Sequence, residues 1–302
     1  MHLVGGAYHS FYIFIGHNHF FCMKLISSSF SHTNLDEKSS HPDDRRWAAA
    51  TPWDAIARSE ARKVQTYDDL VTDVAQIMFY NRNLALYYRG QSKDYKKNGM
   101  TTLLPTIYRK KEGERLMLKE KFALLEEKVG DIKRLFSESE VRYEGISMLK
   151  KYPEIAWSLL QHYEICETPL LDITHSLHVA CSFAFDRNKG ETGIVYVLGM
   201  PWQTDGIGYN TYEELLNVKL LGVCPPQAQR PFFQEGYLAG PFPNYQLDNP
   251  RRVPQFDFAR RLIAKFEIPI DPSFWGDGFG RIPSKKLYQP KDKIFELLSG
   301  KE

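Results

Sequence analysis

The chain has 302 residues, 43% hydrophobic and 25% charged, enough to bury a full core and too few for more than two ordinary domains. Its 39 basic and 37 acidic residues leave a net charge of +2, which excludes recruitment of nucleic acid or an anionic membrane by a whole-molecule field; a polyanionic partner has to be met by a local patch. Cys22, Cys166, Cys181 and Cys224 form no CxxC pair, so they read as free thiols of a reducing, cytoplasmic setting, and no run of about eighteen apolar residues marks a membrane span.

The apolar stretch 11–21 is interrupted by His17, Asn18 and His19 and lacks a basic leader and a small-residue cleavage site, so it does not read as a signal peptide. Histidines at positions 2, 9, 17, 19, 32 and 41 are irregularly spaced, which fits a loosely ordered tail better than a metal-binding tract; a true start at Met23 explains the composition equally well. Residues 27–52 are rich in Ser, His, Asp and Pro without a regular period. These features place a poorly ordered tail at 1–45 and a single domain at 46–302.

Thr66 and Asp69 form a capping-box pattern ahead of Leu70, Val71, Val74, Ile77 and Met78, which predicts an amphipathic helix ending near Tyr80. Residues 84–88 read as a short buried strand that delivers Arg89-Gly90 at its end. Helices are expected over 112–136 and 152–163, then a strand end at 170–174, a helix at 177–185 with Ala180, Cys181 and Ala184 on its packing side, and a strand at 193–198. Proline clusters bracket a candidate strand at 232–238, followed by a strand at 262–269 and a closing helix at 292–298. The expected class is α+β, with a central mixed sheet or split β-sheet core and a helical N-terminal half packed around it.

Three blocks occur in order. The first is Tyr87-Tyr88-Arg89-Gly90-Gln91-Ser92 followed by Leu104-Pro105-Thr106-Ile107-Tyr108-Arg109. The second is Gln161-His162-Tyr163, then Leu170-Leu171-Asp172-Ile173-Thr174, then Ala180 with Phe183-Ala184; the third is Arg230-x-x-x-Gln234-x-Gly236-x-Leu238. Together they resemble the FRG family, named for a Phe-Arg-Gly motif, with Tyr88 in place of Phe; Glu164 and Pro169 stand where the family usually has glycine and arginine. The FRG pattern is in turn similar to a distant version of the ADP-ribosyltransferase arrangement, in which Arg89 is the first element, Thr174 and Ser176 the second, and Gln234 the third, with Glu235 beside it.

The resemblance implies transfer of ADP-ribose from NAD, the substrate, onto RNA, DNA or protein. It implies catalytic roles for Arg89, His162, Asp172 and Gln234, and NAD contacts from Arg89, Gly90, Tyr163, Thr174 and Ser176. No metal is expected. By analogy the protein is a toxin or anti-phage effector, with an antitoxin as a possible partner. The alternatives are a non-catalytic nucleotide- or nucleic-acid-binding module and an NAD glycohydrolase.

Each residue has a chemical and a structural reading. The planar fork of Arg89 suits bidentate phosphate contact and Gly90 permits close backbone approach to a ligand, whereas Arg89 paired with Asp172 is a structural bridge. Asp172 orients His162 or Arg89, or caps the helix near Ser176; Thr174 is divided between cap and ligand contact. The His162 imidazole suits a general base or a ribose donor. His175 and His178 lack an evident third metal ligand. In a strand, Gln234 and Glu235 would face opposite sides, and Gln234 carries no charge. Tyr87, Tyr88, Tyr163, Phe232, Phe233 and Tyr237 offer stacking surfaces or core, and Lys93, Lys96, Lys97, Arg109, Lys110 and Lys111 form a candidate phosphate-contacting patch or a solvated face.

Overall fold

In the computed structural model of the chain, residues 23–28, 30–35, 50–110, 113, 117–139, 143–204, 206–243 and 250–300 are described. Their central feature is one mixed sheet of eight strands: β1 (Arg62–Lys63), β2 (Ala85–Gln91), β3 (Leu171–Thr174), β4 (Thr192–Met200), β5 (Ile207–Asn210), β6 (Leu215–Lys219), β7 (Gly236–Pro241) and β8 (Leu262–Pro269). The spatial order is β1-β8-β4-β2-β3-β7-β6-β5. Only the β1–β8 pair is parallel; every other pairing in the sheet is antiparallel.

The apolar run that opens β2 is explained by burial on both faces. Leu86 and Tyr88 join a core with Val195, Val197 and Ala180, whereas Ala85 and Tyr87 join one with Tyr196, Leu198 and Ile173. The helices α1 (Tyr67–Tyr80), α2 (Leu118–Glu138), α3 (Pro153–His162), α4 (Leu177–Phe185), α5 (Arg230–Gln234) and α6 (Lys293–Ser299) supply the cover. Thr66 caps α1 by accepting from the Asp69 amide at 3.1 Å, and Leu70, Val74 and Ile77 form its buried face. Pro153 occupies the first turn of α3, where its missing amide hydrogen costs nothing.

The sheet is nearly severed in its middle. Strand β2 makes seven residue pairs with β4 and β3 makes four with β7, but β2 and β3 meet at one pair, Tyr88 with Thr174. Beyond that pair the strands part, and the guanidinium of Arg89 bridges the gap by donating to the Asp172 carbonyl at 2.6 Å.

Two expectations need correction. The strand expected over 232–238 is interrupted: α5 ends at Gln234, Glu235 takes a left-handed conformation with φ 43°, and β7 begins at Gly236. Pro231 at the first turn and a buried anchor at Arg230 favour the helical turn over an extended run. The packed structure also reaches into the segment expected to be a tail. Ser27–Ser28 pairs with Thr51–Pro52, Met23, Ile26 and Phe30 are buried, and Arg260 and Arg261 donate to the carbonyls of Met23 and Lys24. Residues 1–22 and 36–49, including the apolar stretch 11–21, lie outside the described residues.

Candidate functional site

The parting of β2 and β3 opens a cleft of about 410 Å³. Its walls carry Arg89 and Gly90 from β2, Gln161 and His162 from the end of α3, Asp172 and Thr174 from β3, Gln234 from α5, and Tyr288 from the C-terminal segment. Of the residues expected at the site, Arg89, Gly90, His162, Asp172, Thr174 and Gln234 are thus brought together from positions up to 145 residues apart in the chain.

Asp172 is the centre of the polar network. Its Oδ2 accepts from Gln161 Nε2 at 2.7 Å, and its Oδ1 lies 3.4 Å from His162 Nδ1. Burial opposes its ionisation, but the His162 hydrogen bond and charge, the Arg89 guanidinium and the Gln161 amide outweigh burial and hold the carboxyl below its usual range. Because an ionised carboxylate only accepts, His162 Nδ1 carries the proton when the ring is neutral, and Nε2 presents a lone pair. Among the described residues this Nε2 is buried and has no partner. Gln161 is locked in orientation, since its Oε1 accepts from Thr168 Oγ1 at 2.6 Å and from Thr106 Oγ1 at 3.2 Å.

Arg89 is the cleft's cation. Beyond its bond to the Asp172 carbonyl it pairs with no carboxylate oxygen, and its Nε is buried without a partner among the described residues. The bridge to Asp172 is therefore to the backbone, not a side-chain ion pair. Burial, together with the positive charge of nearby Arg109, lowers the guanidinium pKa, with Asp172 acting the other way. Gly90 lines the cleft, yet its lack of a side chain is required on the other side: a Cβ would lie 1.8 Å from the Ala180 carbonyl oxygen in α4.

Three expected contacts have other work. Tyr163 is buried and donates its hydroxyl to Asp292 at 2.8 Å, and burial together with the Asp292 charge pushes the phenol far up. Ser176 caps α4 through the Val179 amide and does not line the cleft. Thr174 lines it while its Oγ1 accepts from the Ser176 amide at 3.0 Å in a turn ahead of α4, whose cap is Ser176 and not Thr174. His175 bonds to the Leu86 carbonyl and stacks at 3.9 Å on Tyr87, whereas His178 bonds to the Gly280 carbonyl.

Gln234 is placed by a support that the sequence does not announce. Its Nε2 donates to the Leu287 carbonyl at 2.9 Å, and Arg230 lies 4.4 Å from the Phe295 ring and 5.0 Å from that of Tyr163. Fully buried Asp292 accepts from Tyr163 and from the amides of Gln229, Arg230, Ile294 and Phe295, fastening α5 to the start of α6. Glu235 points away, exposed. Tyr288, with its hydroxyl donated to Asp186 at 3.1 Å, and Thr106 are further wall residues; Thr106 sits in a quoted motif, whereas Tyr288 has no local signal.

The basic residues near the second motif are dispersed in their contacts. Lys96 pairs with Glu60 at 3.0 Å, Lys93 lies over the Tyr95 ring, and Arg109 donates from Nε to the Leu104 carbonyl; Lys111 is outside the described residues. Among the described residues no helix is long and apolar enough to cross a membrane.

Residues 84–192 match the family model of the FRG domain. The matched stretch contains Arg89, His162, Asp172 and Thr174 but not Gln234 or Tyr288. No curated protein and no solved structure matches the chain.

Proposed function

We propose that this chain, which contains an FRG domain, binds NAD in the cleft between β2 and β3 and transfers ADP-ribose to a macromolecular acceptor. The observation that carries the reading is the convergence of a half-buried, carboxylate-free guanidinium with an Asp–His pair whose outer nitrogen is unpartnered. Arg89 supplies fixed positive charge for the diphosphate, in a geometry suited to two parallel hydrogen bonds. Thr174 and Gln234 present polar groups for the ribose hydroxyls.

In the reaction the bond between ribose C1′ and the nicotinamide nitrogen breaks, and its electron pair leaves with nicotinamide. The acceptor's lone pair closes on C1′, and its proton passes to His162 Nε2. Asp172 stabilises the imidazolium and fixes the tautomer through Nδ1. The acceptor is a nucleic acid or a protein; water in its place gives NAD hydrolysis by the same residues.

A second reading rests on Gln234, a neutral side chain tied to the Leu287 carbonyl, which favours a cleft that binds a nucleotide without transferring it. Adenylate-labelled NAD incubated with the full chain and RNA, DNA or cell lysate separates the two. Label transferred by the wild type and lost in Arg89→Ala and His162→Ala supports the transferase; NAD left intact with every acceptor, but bound, favours the binding module.

A further inference from the structure

Breaking a glycosidic bond builds positive charge on the sugar, and a site that accelerates it has to offer negative charge there. Gln234 offers none. The two oxygens of Asp172 are engaged by His162 and Gln161. Among the described residues one other acidic residue lines the cleft, Glu164, which is exposed at its rim. It accepts no hydrogen bond and pairs with no cation among the described residues. Its charge reaches the facing wall: burial, Asp186 and Glu164 together push the Tyr288 phenol up.

The backbone at this position is unusual for a glutamate. Glu164 follows α3 with φ 59°, in the left-handed region where a helix end normally places glycine and a side chain is strained. The turn is closed by backbone bonds alone, Glu164 N to the Gln161 carbonyl at 3.0 Å and Ile165 N to the Leu160 carbonyl at 2.9 Å. Nothing in the helix end calls for a carboxylate. The same left-handed strain recurs around the cleft: Arg187 lies over the Tyr288 ring, Glu235 follows Gln234, and Gln289 follows Tyr288. Strain of this kind persists where surrounding structure and function over-determine it.

We infer that Glu164 is the substrate-facing carboxylate, whose charge stabilises the cationic ribose carbon as nicotinamide leaves. The inference rests on the reading of the cleft as an NAD site. Glu164 forms no bond in the step and keeps its charge throughout; the leaving pair goes to nicotinamide and the acceptor proton to His162.

The test compares Glu164→Gln and Glu164→Gly in the full chain, with Asn98→Gly as control, an exposed turn residue that shares the left-handed backbone at φ 52°. NAD affinity, NAD consumption with acceptor, and Tm are read for each. Glu164→Gly raises Tm by about 1–3 °C as strain is relieved, yet lowers turnover by roughly 100-fold or more. Glu164→Gln keeps the strained backbone and the wild-type Tm and loses turnover to the same extent, while Asn98→Gly leaves turnover unchanged. Glu164→Gln turning over within about threefold of wild type overturns the role of Glu164 while leaving the NAD site standing. A wild type that binds NAD without turnover overturns the catalytic role together with transfer, and one that binds none removes the site reading itself.

Discussion

Replacing Gly90 by alanine probes the closest contact beneath the cleft. An ideal Cβ there would lie 1.8 Å from the Ala180 carbonyl oxygen, 2.8 Å from its carbonyl carbon and 2.8 Å from the Ala184 nitrogen. All three are helix backbone, so no side-chain rotation relieves the overlap. Comfortable non-bonded separation begins near ~3.5 Å, and β2 or α4 therefore has to move by more than about 1 Å. Both elements are held on their other sides, β2 by its seven pairs with β4 and α4 by the core around Cys181 and Phe185. Overpacking that side chains absorb costs about 1–3 kcal/mol, and a clash between two pinned backbones belongs at or above the top of that range. Taking about 3 kcal/mol, Tm falls by roughly 5 °C for a chain of this size. Thermal melts by circular dichroism read the effect directly. If Gly90 served only to let a ligand approach, the alanine variant would melt with the wild type and bind more weakly; a Tm within about 1 °C of wild type refutes the packing argument.

Acid sensitivity begins at His32, held neutral by burial and by the charges of Lys265 and Arg62 against the Glu60 carbonyl, with its pKa lowered from 6.5 to about 4. The unfolded chain then takes up the proton first, so stability is complete above about pH 6.5 and declines by roughly 3 kcal/mol on the way to pH 4; urea melts across that range show the decline, and His32→Gln flattens it. Asp172 acts lower: its pKa is depressed from 3.8, so its contribution is present above that value and is lost as pH falls through the depressed one. Asp292→Ala strips the acceptor from one hydroxyl and four buried or half-buried amides and lowers stability by about 4 kcal/mol, read by denaturant titration, with Asp292→Asn milder. Glu213→Ala leaves the fully buried Arg261 guanidinium without the carboxylate 2.6 Å away and costs roughly 3 kcal/mol in the same assay.

The elements whose signal is local were legible in the sequence. Helix α4 and strand β8 run over the expected residues, because 177–185 carries small residues for close packing and 262–269 alternates Leu262, Ala264, Phe266 and Ile268 into the core. The cleft residues Arg89, His162 and Asp172 were found because they sit in ordered motifs beside recognisable strand and helix ends. What failed depends on distant contacts. The run 232–238 looks extended, yet Arg230 packs on Tyr163 and Phe295 and its amide bonds to Asp292, which turns the chain into α5. Tyr163 reads as a cleft aromatic until Asp292, 129 residues later, takes its hydroxyl inward. Met23, Ile26 and Phe30 are too sparse among polar neighbours to reveal that they pack on β8 and its surroundings.

The central claim is that the split between β2 and β3 is a nucleotide site organised by Arg89. Equilibrium binding of NAD to the wild type and to Arg89→Ala, followed by calorimetry, tests it most directly. Loss of a charged, bidentate phosphate contact of about 1.5–3 kcal/mol predicts affinity weaker by roughly 10- to 100-fold, with Tm lowered by a few degrees because the Asp172 carbonyl loses its donor. Equal affinity in the two proteins, or no binding by the wild type, contradicts the account.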